Sequence, residues 1–462
     1  TISQRFMKTQ PLIQKVEPVK DHDYFHLFTQ IDTKAHFDYQ TYTIHITDAN
    51  KSAAEAASNY ISGKFTGKIK NSDYFLIESA LSLITHEYTH FLDFSSSLFG
   101  FEHLKKLAAA AASQRSRHTD ETEFYPAKQY ADYLRTLRPS KYYDEKHNLN
   151  ISRELWGAIP SSGVIFNSSG RPSTRPIIFV RFMTPDFIQI ARAPISAVAV
   201  LEASAIAQEL LASIDLIARS EDTEIKYAEI TNKNIEFLYD ARLTDYSVCA
   251  HLVANHLGCK DFLLVARIIA TLTRIVLNTS PSSFDDIHRN IESTPYFLGM
   301  PKTEDTTKIK KRIRTALKFR DMGALFFLMA QCMPKMPKQP SEFQSFISQT
   351  LAQSGFKKDW IEKSKDHASQ LIRTVESFDI PHLTKFALCG LKNYTTLLSS
   401  GHQIDFNKMH LPSCYIARDT EVISISDFQQ NELADIDLLD IWELGTETEV
   451  WVGKVESACL NF

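Results

Sequence analysis

Glycine is scarce in this chain, with 14 residues among 462. Tight turns with a positive φ favour glycine, so a glycine-poor chain favours long helices over many short strands. Hydrophobic residues make up 44% of the sequence and charged residues 23%, which is typical of a folded globular protein and not of a disordered one. We therefore predict a mostly helical α+β fold, long enough for roughly two to four domains or for one large domain with additions.

Charge and cysteine content indicate the class of partner and the compartment. The net charge of −4 gives no reason to expect nucleic acid or an anionic membrane as a partner. Residues 1–20 lack the apolar run of a secretory signal, and the longest lipophilic stretch, residues 261–277, is too short to span a bilayer. The 6 cysteines contain no C-x-x-C pair, which favours free thiols. We expect a cytoplasmic protein that does not bind membranes.

The spacing of apolar residues predicts the main elements. Predicted helices cover residues 53–61, 74–97, 101–112, 127–137, 195–217 and most of 244–393. Predicted strands cover residues 37–46, 176–182, 422–426 and 449–453. The polar stretch 163–174 is expected to form an exposed loop, residues 71–73 are expected to cap the long helix, and Gly100 is expected to end it.

The long predicted helix over residues 74–97 carries the segment His86-Glu87-Tyr88-Thr89-His90. Two histidines four residues apart lie on one helix face, about one turn apart, so one ion can reach both imidazoles. Neutral imidazole is a good zinc ligand. Apolar residues precede and follow the segment, as expected for a buried helix. The pattern predicts a zinc site at this helix with His86 and His90 as ligands.

Glu87 follows the first histidine. It is placed to reach a water molecule at the open coordination position of the ion without binding the ion itself. A bound zinc lowers the pKa of a water ligand from near 16 to roughly 7, which makes a nucleophile available at neutral pH. A carboxylate beside that water can accept its proton and pass it to a leaving amine. We therefore predict Glu87 as the general base.

A catalytic zinc needs a third protein ligand. Glu202 lies in the apolar helix predicted over residues 195–217, where a carboxylate is costly unless a charge such as a metal accompanies it. Glu209, seven residues later, is either an outer contact of a ligand or the true third ligand. Asp93 is expected to orient a histidine or to cap the neighbouring turn. The remaining alternatives for the third ligand are Glu102, Glu121, Glu123 and Glu154.

The histidine segment followed by a downstream Glu-Ala-x-Ala resembles the gluzincin branch of zinc metallopeptidases. The resemblance implies that His86, His90 and Glu202 bind zinc and that Glu87 is the base, and it implies a zincin-like catalytic core. A metzincin is excluded, because Asp93 and Ser96 stand where that class has glycine and histidine. The long separation between His90 and Glu202 departs from compact gluzincins and implies an insertion at about residues 101–195.

Three regions are expected on this basis: a zincin-like region over residues 1–260, a helical region over 261–415, and an acidic, partly β segment over 416–462. A basic amphipathic helix is predicted from Lys308 to Arg320, most simply with its charges in solvent. The acidic stretch 419–449 is expected to pack within the chain. Candidate donors to an oxyanion follow the Glu202 helix and are Tyr239, Arg242, Tyr246, His251 and His256.

The leading function is that of a cytoplasmic zinc metallopeptidase with a protein or peptide substrate. The long helical region and the acidic segment suggest regulation by a protein partner, as in a toxin-like or defence peptidase held inactive until triggered. One alternative is a non-enzymatic helical interaction protein in which the histidine motif is accidental or forms a structural zinc site. Another is a zinc hydrolase that acts on something other than peptides.

Overall fold

The computed structural model describes residues 34–116, 120–137, 143, 145–147, 156–166 and 171–458. Helices predominate over short strands, so the mostly helical α+β class is confirmed. The strands are β1 (Ala35–Asp38), β2 (Thr43–Ile46), β3 (Glu145–Lys146), β4 (Gly157–Phe166), β5 (Pro172–Met183), β6 (Gln189–Pro194), β7 (Cys414–Ile416) and β8 (Glu421–Ile423).

The helices include the two that carry the predicted site residues, α2 and α5. In chain order they are α1 (Lys51–Ile61), α2 (Asn71–Ser95), α3 (Leu98–Gln114), α4 (Tyr125–Leu137), α5 (Ala197–Ala218), α6 (Thr223–Leu238), α7 (Thr244–Leu257), α8 (Phe262–Leu277), α9 (Pro281–Asn290), α10 (Pro295–Gly299), α11 (Glu304–Lys318), α12 (Met322–Gln331), α13 (Phe343–Gln353), α14 (Trp360–Glu376), α15 (Pro381–Ser399) and α16 (Leu438–Ala458).

The chain divides into two compact units, each built from segments that are distant in sequence. The first unit comprises Thr1–Leu137, Gln208–Thr223 and Ala368–Phe462, and the second comprises Arg138–Ala207 and Glu224–His367. Helix α5 is continuous and contributes residues to both units. The boundaries near residues 260 and 415 stay predictions from the sequence.

A small mixed sheet in the first unit supports helix α2. Strands β1 and β2 are antiparallel, β2 pairs with β7 in parallel, and β7 pairs antiparallel with β8. Phe37 of β1 lies 5.6 Å from the ring of Phe94 and 6.1 Å from that of Phe91, both on α2. The hydroxyl of Tyr42 donates to the carbonyl of Phe94 at 3.0 Å. These contacts fix the C-terminal half of α2 against the sheet.

Two further contacts set the position and rotation of α2. The hydroxyl of Tyr88 donates to the carbonyl of Pro412 at 2.7 Å. Gly390 of α15 lies so near the C-terminal end of α2 that a Cβ there would come within 1.8 Å of the Ser95 carbonyl oxygen. Only glycine permits that approach, because the neighbouring atom is backbone and cannot move aside. The helix is therefore held from two sides.

The second unit contains an antiparallel sheet of strand order β3-β6-β5-β4. Helix α11 packs on β5 and β4, where Ile313 and Leu317 are buried and Arg312 donates to the carbonyl of Ser162. The exposed side of α11 carries most of its lysines and arginines, so the predicted basic amphipathic helix is confirmed. On α7, His251 stacks on Trp156 with ring centroids 5.6 Å apart.

Helix α5 has the composition of a core helix. It is long and apolar enough to cross a membrane, but 78% of its apolar window is buried inside the protein. The segments Phe262–Leu277 and Pro281–Gly299 pass the same test only jointly, and they are bent by 108°. The buried helix predicted over residues 195–217 is confirmed.

Three local predictions at the start of the chain's described part were wrong in detail. Residues 37–46 form two strands joined by a turn in which Tyr42 has a φ of 55°. The N-cap of α2 is Lys70, which makes no capping bond from its side chain. Gly100 lies inside α3, where Ser97 caps the helix by accepting from the Gly100 amide at 3.0 Å, and α2 ends before it.

The expected loop at residues 163–174 was also wrong in the parts that the structure describes. Gly163 lies within β4 and pairs with Ile177 of β5, and β5 begins at Pro172; residues 167–170 lie outside the described residues. The glycines and serines of residues 163–174 resemble a loop, whereas the buried side chains of this hairpin belong mainly to β5. Buried Ile177 and Phe179 supply them from the opposite strand.

The two C-terminal strand predictions had different outcomes. The strand predicted over residues 422–426 is present but covers Glu421–Ile423. The strand predicted over residues 449–453 is wrong, because these residues belong to α16. The buried positions Gly445, Thr448, Val452 and Val455 follow the three-and-four spacing of a helix, which overrides the strand preference of a few β-branched and aromatic residues.

The acidic stretch and the cysteines agree with the sequence analysis. Helix α16 packs on α3 and α4 within the first unit, and Asp427 pairs with Lys64 at 2.6 Å. The acidic stretch therefore packs inside the chain. The five cysteines among the described residues are free, as predicted, and all five are buried.

Candidate metal centre

Helix α2 carries both predicted histidine ligands on its buried side. His90 is 2% exposed and His86 9% exposed. The two Nε2 atoms lie 3.1 Å apart, and the rings meet nearly at right angles with centroids 4.8 Å apart. The one-turn spacing read from the sequence therefore brings two ring nitrogens to one point.

Glu202 of α5 meets this pair. One ligand atom from each of His86, His90 and Glu202 lies within 4.8 Å of the other two. Glu202 is 2% exposed. In the part of the chain that the structure describes, these three residues are the one group of three or more histidines, cysteines and carboxylates at metal-ligand spacing.

The donor set fits zinc. Zinc binds imidazole nitrogen at about 2.0–2.1 Å and carboxylate oxygen at about 2.0–2.2 Å, so two ligand atoms of a tetrahedral ion lie about 3.3 Å apart. The Nε2–Nε2 distance of 3.1 Å is close to that value. The carboxylate oxygen of Glu202 lies within 4.8 Å of both histidine nitrogens, so only a small side-chain movement is needed for it to bind the same ion. Two imidazoles and a carboxylate are also a donor set that catalytic zinc sites use.

Glu209 contacts the outer nitrogen of His86. Its Oε2 lies 3.2 Å from Nδ1 of His86, and its Oε1 accepts from Ser82 Oγ at 2.5 Å. A carboxylate only accepts hydrogen bonds, so Nδ1 carries the hydrogen and the Nε2 lone pair is left for a metal. This is the arrangement by which outer carboxylates orient zinc-binding histidines. Of the two glutamates left open by the sequence, Glu202 has the position of a ligand and Glu209 that of an orienting group.

Glu87 lies between the two histidines in the chain and is 4% exposed. A carboxylate so deeply buried is costly, and it is better tolerated next to a cation. Thr89 Oγ1 donates to the carbonyl of Thr85 at 2.7 Å, and Tyr88 is held by Pro412, so the helical turn that carries Glu87 is fixed. The sequence-predicted base therefore lies on the same rigid turn as both histidines.

The other candidate ligands lie outside this group. Glu102 pairs with Lys105 at 3.2 Å. Glu121 and Glu123 belong to a short 3-10 helix before α4. Glu154 lies outside the described residues. Asp93 is half-buried on α2, and its backbone carbonyl accepts from Ser97 Oγ at 2.6 Å.

The candidate oxyanion donors lie in the second unit, where several have structural contacts. His251 Nε2 donates to the carbonyl of Leu238 at 2.8 Å, and burial lowers the pKa of His251 to about 4, so it is a neutral core histidine. His256 Nε2 contacts the carbonyl of Met333 at 2.9 Å. Arg242 is exposed and pairs with Asp240 at 2.6 Å. Tyr239 and Tyr246 stay predictions.

Sequence reasoning missed Ser82. It lies one turn before His86 on the same helix face, and it contacts the glutamate that orients this histidine. The four-residue spacing to His86 was a usable signal. A serine in a helix is so often a solvent-facing residue or a backbone-bonded one that spacing alone did not select it.

No protein-family model, no curated protein and no solved structure matches this chain.

The distinct positions of the two glutamates predict distinct losses of zinc affinity. Glu202→Ala removes a ligand, so we expect zinc affinity to fall by more than ~100-fold. Glu209→Ala removes only an orienting contact, and we expect a loss of roughly 10- to 100-fold. Competition with a chromophoric chelator measures both, and circular dichroism of the metal-free variants checks the fold. Equal affinities for wild type and Glu202→Ala would remove Glu202 from the metal site.

Proposed function

We propose that this protein is a zinc-dependent hydrolase, and specifically a cytoplasmic peptidase of the gluzincin type. The observation that carries the proposal is the convergence of His86, His90 and Glu202 at zinc-ligand spacing, with the buried Glu87 next to His86 in the chain. Two helices supply these groups. Helix α2 provides the histidines and the base, and α5 provides the glutamate.

The number of protein ligands supports a catalytic over a structural role. Structural zinc is closed by four protein ligands, whereas catalytic zinc has three and keeps a position for water or substrate. The group among the described residues contains three. The site is also mostly buried, with His90, Glu87 and Glu202 each at 4% exposure or less, and a dry site strengthens electrostatic effects on a reacting group.

Each side chain then has a defined task. His86, His90 and Glu202 would hold zinc, which when bound would supply Lewis acidity and make a water molecule acidic enough to react at neutral pH. Glu87 would accept a proton from the water that attacks the peptide carbonyl, and it would return this proton to the nitrogen that leaves when the C–N bond breaks. Glu209 keeps the hydrogen of His86 on Nδ1, so that Nε2 faces the metal. Tyr88, through Pro412, keeps the helical turn in register with these groups.

The cysteines and helix α5 support the compartment in this proposal. The free, buried cysteines in the described part of the chain are consistent with a reducing compartment, which supports the cytoplasm. The mostly buried apolar helix α5 is consistent with a protein that does not span a membrane. A protein or peptide substrate follows from the gluzincin resemblance. Regulation by a protein partner is a further part of the proposal.

The experiment that tests the proposal uses the full chain loaded with zinc. A peptide library derived from a whole proteome is incubated with the protein, and new termini are identified by mass spectrometry. We expect cleavage that stops on addition of 1,10-phenanthroline and returns when the chelator is removed and zinc is added. Cleavage that persists with chelator would contradict a metal mechanism. Stoichiometric zinc without hydrolysis of peptides, esters or amides would indicate a structural site.

A further inference from the structure

We propose that Ser82 is a positioning residue of the metal site and acts through Glu209 on the imidazole of His86. This inference rests on the proposed binding of zinc at His86. Ser82 touches neither the zinc ligand atoms nor the general base. Its contribution is to hold the carboxylate that holds the histidine.

The contacts form a chain of two hydrogen bonds. Ser82 Oγ donates to Oε1 of Glu209 at 2.5 Å, and Nδ1 of His86 lies 3.2 Å from Oε2 of the same carboxylate. Each carboxylate oxygen is thus occupied by a different residue of α2. Ser82 and His86 are four residues apart, so both side chains project from the same helix face towards Glu209.

The carboxylate of Glu209 needs this support because solvent reaches it. The Glu209 side chain is 34% exposed, whereas that of His86 is 11% exposed. A glutamate has several freely rotating side-chain bonds, and a partly exposed carboxylate exchanges protein donors for water at little cost. A second donor on the other oxygen restricts the carboxylate to the orientation that meets Nδ1. Loss of the Ser82 hydroxyl leaves one contact that water competes for.

Each of the two helices carries both a proposed ligand and a supporting side chain. Helix α2 carries Ser82 as the supporting donor and His86 as the ligand, and α5 carries Glu202 as the ligand and Glu209 as the orienting group. On each helix the ligand and the supporting group are separated by whole turns, four residues on α2 and seven on α5. Glu209 of α5 thus supports the imidazole of His86, and Ser82 of α2 supports Glu209 in turn.

Ser79 provides a matched control on the same helix. Its Oγ donates to the carbonyl of Leu76 at 2.8 Å, which is the local bond that helical serines commonly make. Ser82 differs because its partner is a side chain on another helix. Ser79→Ala and Ser82→Ala each remove one hydroxyl oxygen from α2. We expect only Ser82→Ala to affect the metal site.

The test measures the zinc dissociation constant of the full chain by competition with a chromophoric chelator. We expect Ser82→Ala to weaken zinc binding by roughly 3- to 10-fold, because one hydrogen bond to a charged group is lost outside the ligand shell. Ser82→Thr keeps the hydroxyl and should restore affinity to within about 2-fold of wild type. Ser79→Ala should not change affinity. An unchanged affinity in Ser82→Ala would overturn the proposal.

The double variant Ser82→Ala/Glu209→Ala separates positioning from a general structural effect. If Ser82 acts only through Glu209, the double variant binds zinc no more weakly than Glu209→Ala alone. Additive losses would show that Ser82 acts by another route and would overturn the proposal. If wild-type protein binds no zinc, the proposed function fails. If wild type binds zinc and Ser82→Ala binds it equally well, only the role of Ser82 fails.

Discussion

Glu87→Gln is expected to reduce hydrolysis by at least ~100-fold while zinc content and folding stay as in wild type. General acid–base catalysis contributes typically ~100- to 10,000-fold, and an amide keeps the size of the side chain but cannot accept the proton. Glu87 is 4% exposed on a turn fixed by Tyr88, so water is poorly placed to replace it. The measurement is turnover of a peptide identified by the library screen, with zinc content determined on the same sample.

A control for this variant lies on the same helix. Glu78 is half-buried on α2, two turns before the histidine segment, and Glu78→Gln makes the same chemical change at a residue outside the metal-ligand group. We expect Glu78→Gln to keep wild-type turnover. If Glu87→Gln retained full turnover with one bound zinc per chain, the base would have to be another group. Turnover lost together with zinc would instead indicate that Glu87 supports the metal site.

The histidine helix could be predicted from the sequence because its signals are local. Apolar residues at three-and-four spacing predicted a helix over residues 74–97, close to the observed Asn71–Ser95. The same periodicity predicted the buried helix that became α5. Within these helices, the spacing of His86 and His90 fixes their mutual position without reference to the rest of the fold. The ends of α2 were less predictable, because they depend on packing at Gly390 and Gly100.

The choice between Glu202 and Glu209 could not be made from the sequence. The two glutamates are seven residues apart and so lie on nearly the same face of α5. Which one reaches the histidines depends on how far α5 is shifted along α2, and that shift is set by tertiary contacts. In the structure Glu202 meets both imidazoles, and Glu209, two turns later, meets Ser82 and the outer nitrogen of His86.

Strands were predicted less well than helices for a related reason. Strand β4 contains serines and a glycine, and its stability depends on the apolar side chains of β5 opposite it. Conversely, Val450 to Val452 have the composition of a strand but follow a helical burial pattern fixed by α3 and α4. In both cases the deciding contacts come from residues that are distant or that belong to another element. A local window of sequence does not contain them.

His86→Ala is expected to take the zinc content from about one ion per chain to near zero after exhaustive dialysis. The substitution removes the ligand that Glu209 orients and leaves two ligands on separate helices. Three protein ligands are the usual minimum for a catalytic zinc. The other histidine ligand, His90, should behave alike. Elemental analysis by mass spectrometry of protein purified without chelator measures the content directly.

The control for the histidine variant is His382→Ala. His382 lies on α15 with its side chain 32% exposed, and it belongs to no metal-ligand group among the described residues. We expect this variant to retain about one zinc per chain. Full zinc content in His86→Ala would mean that the ion is bound elsewhere, and the histidine segment would then be accidental. Loss of zinc in His86→Ala with normal folding, beside retention in His382→Ala, would show that zinc binding requires His86 itself and is not lost on removal of any histidine.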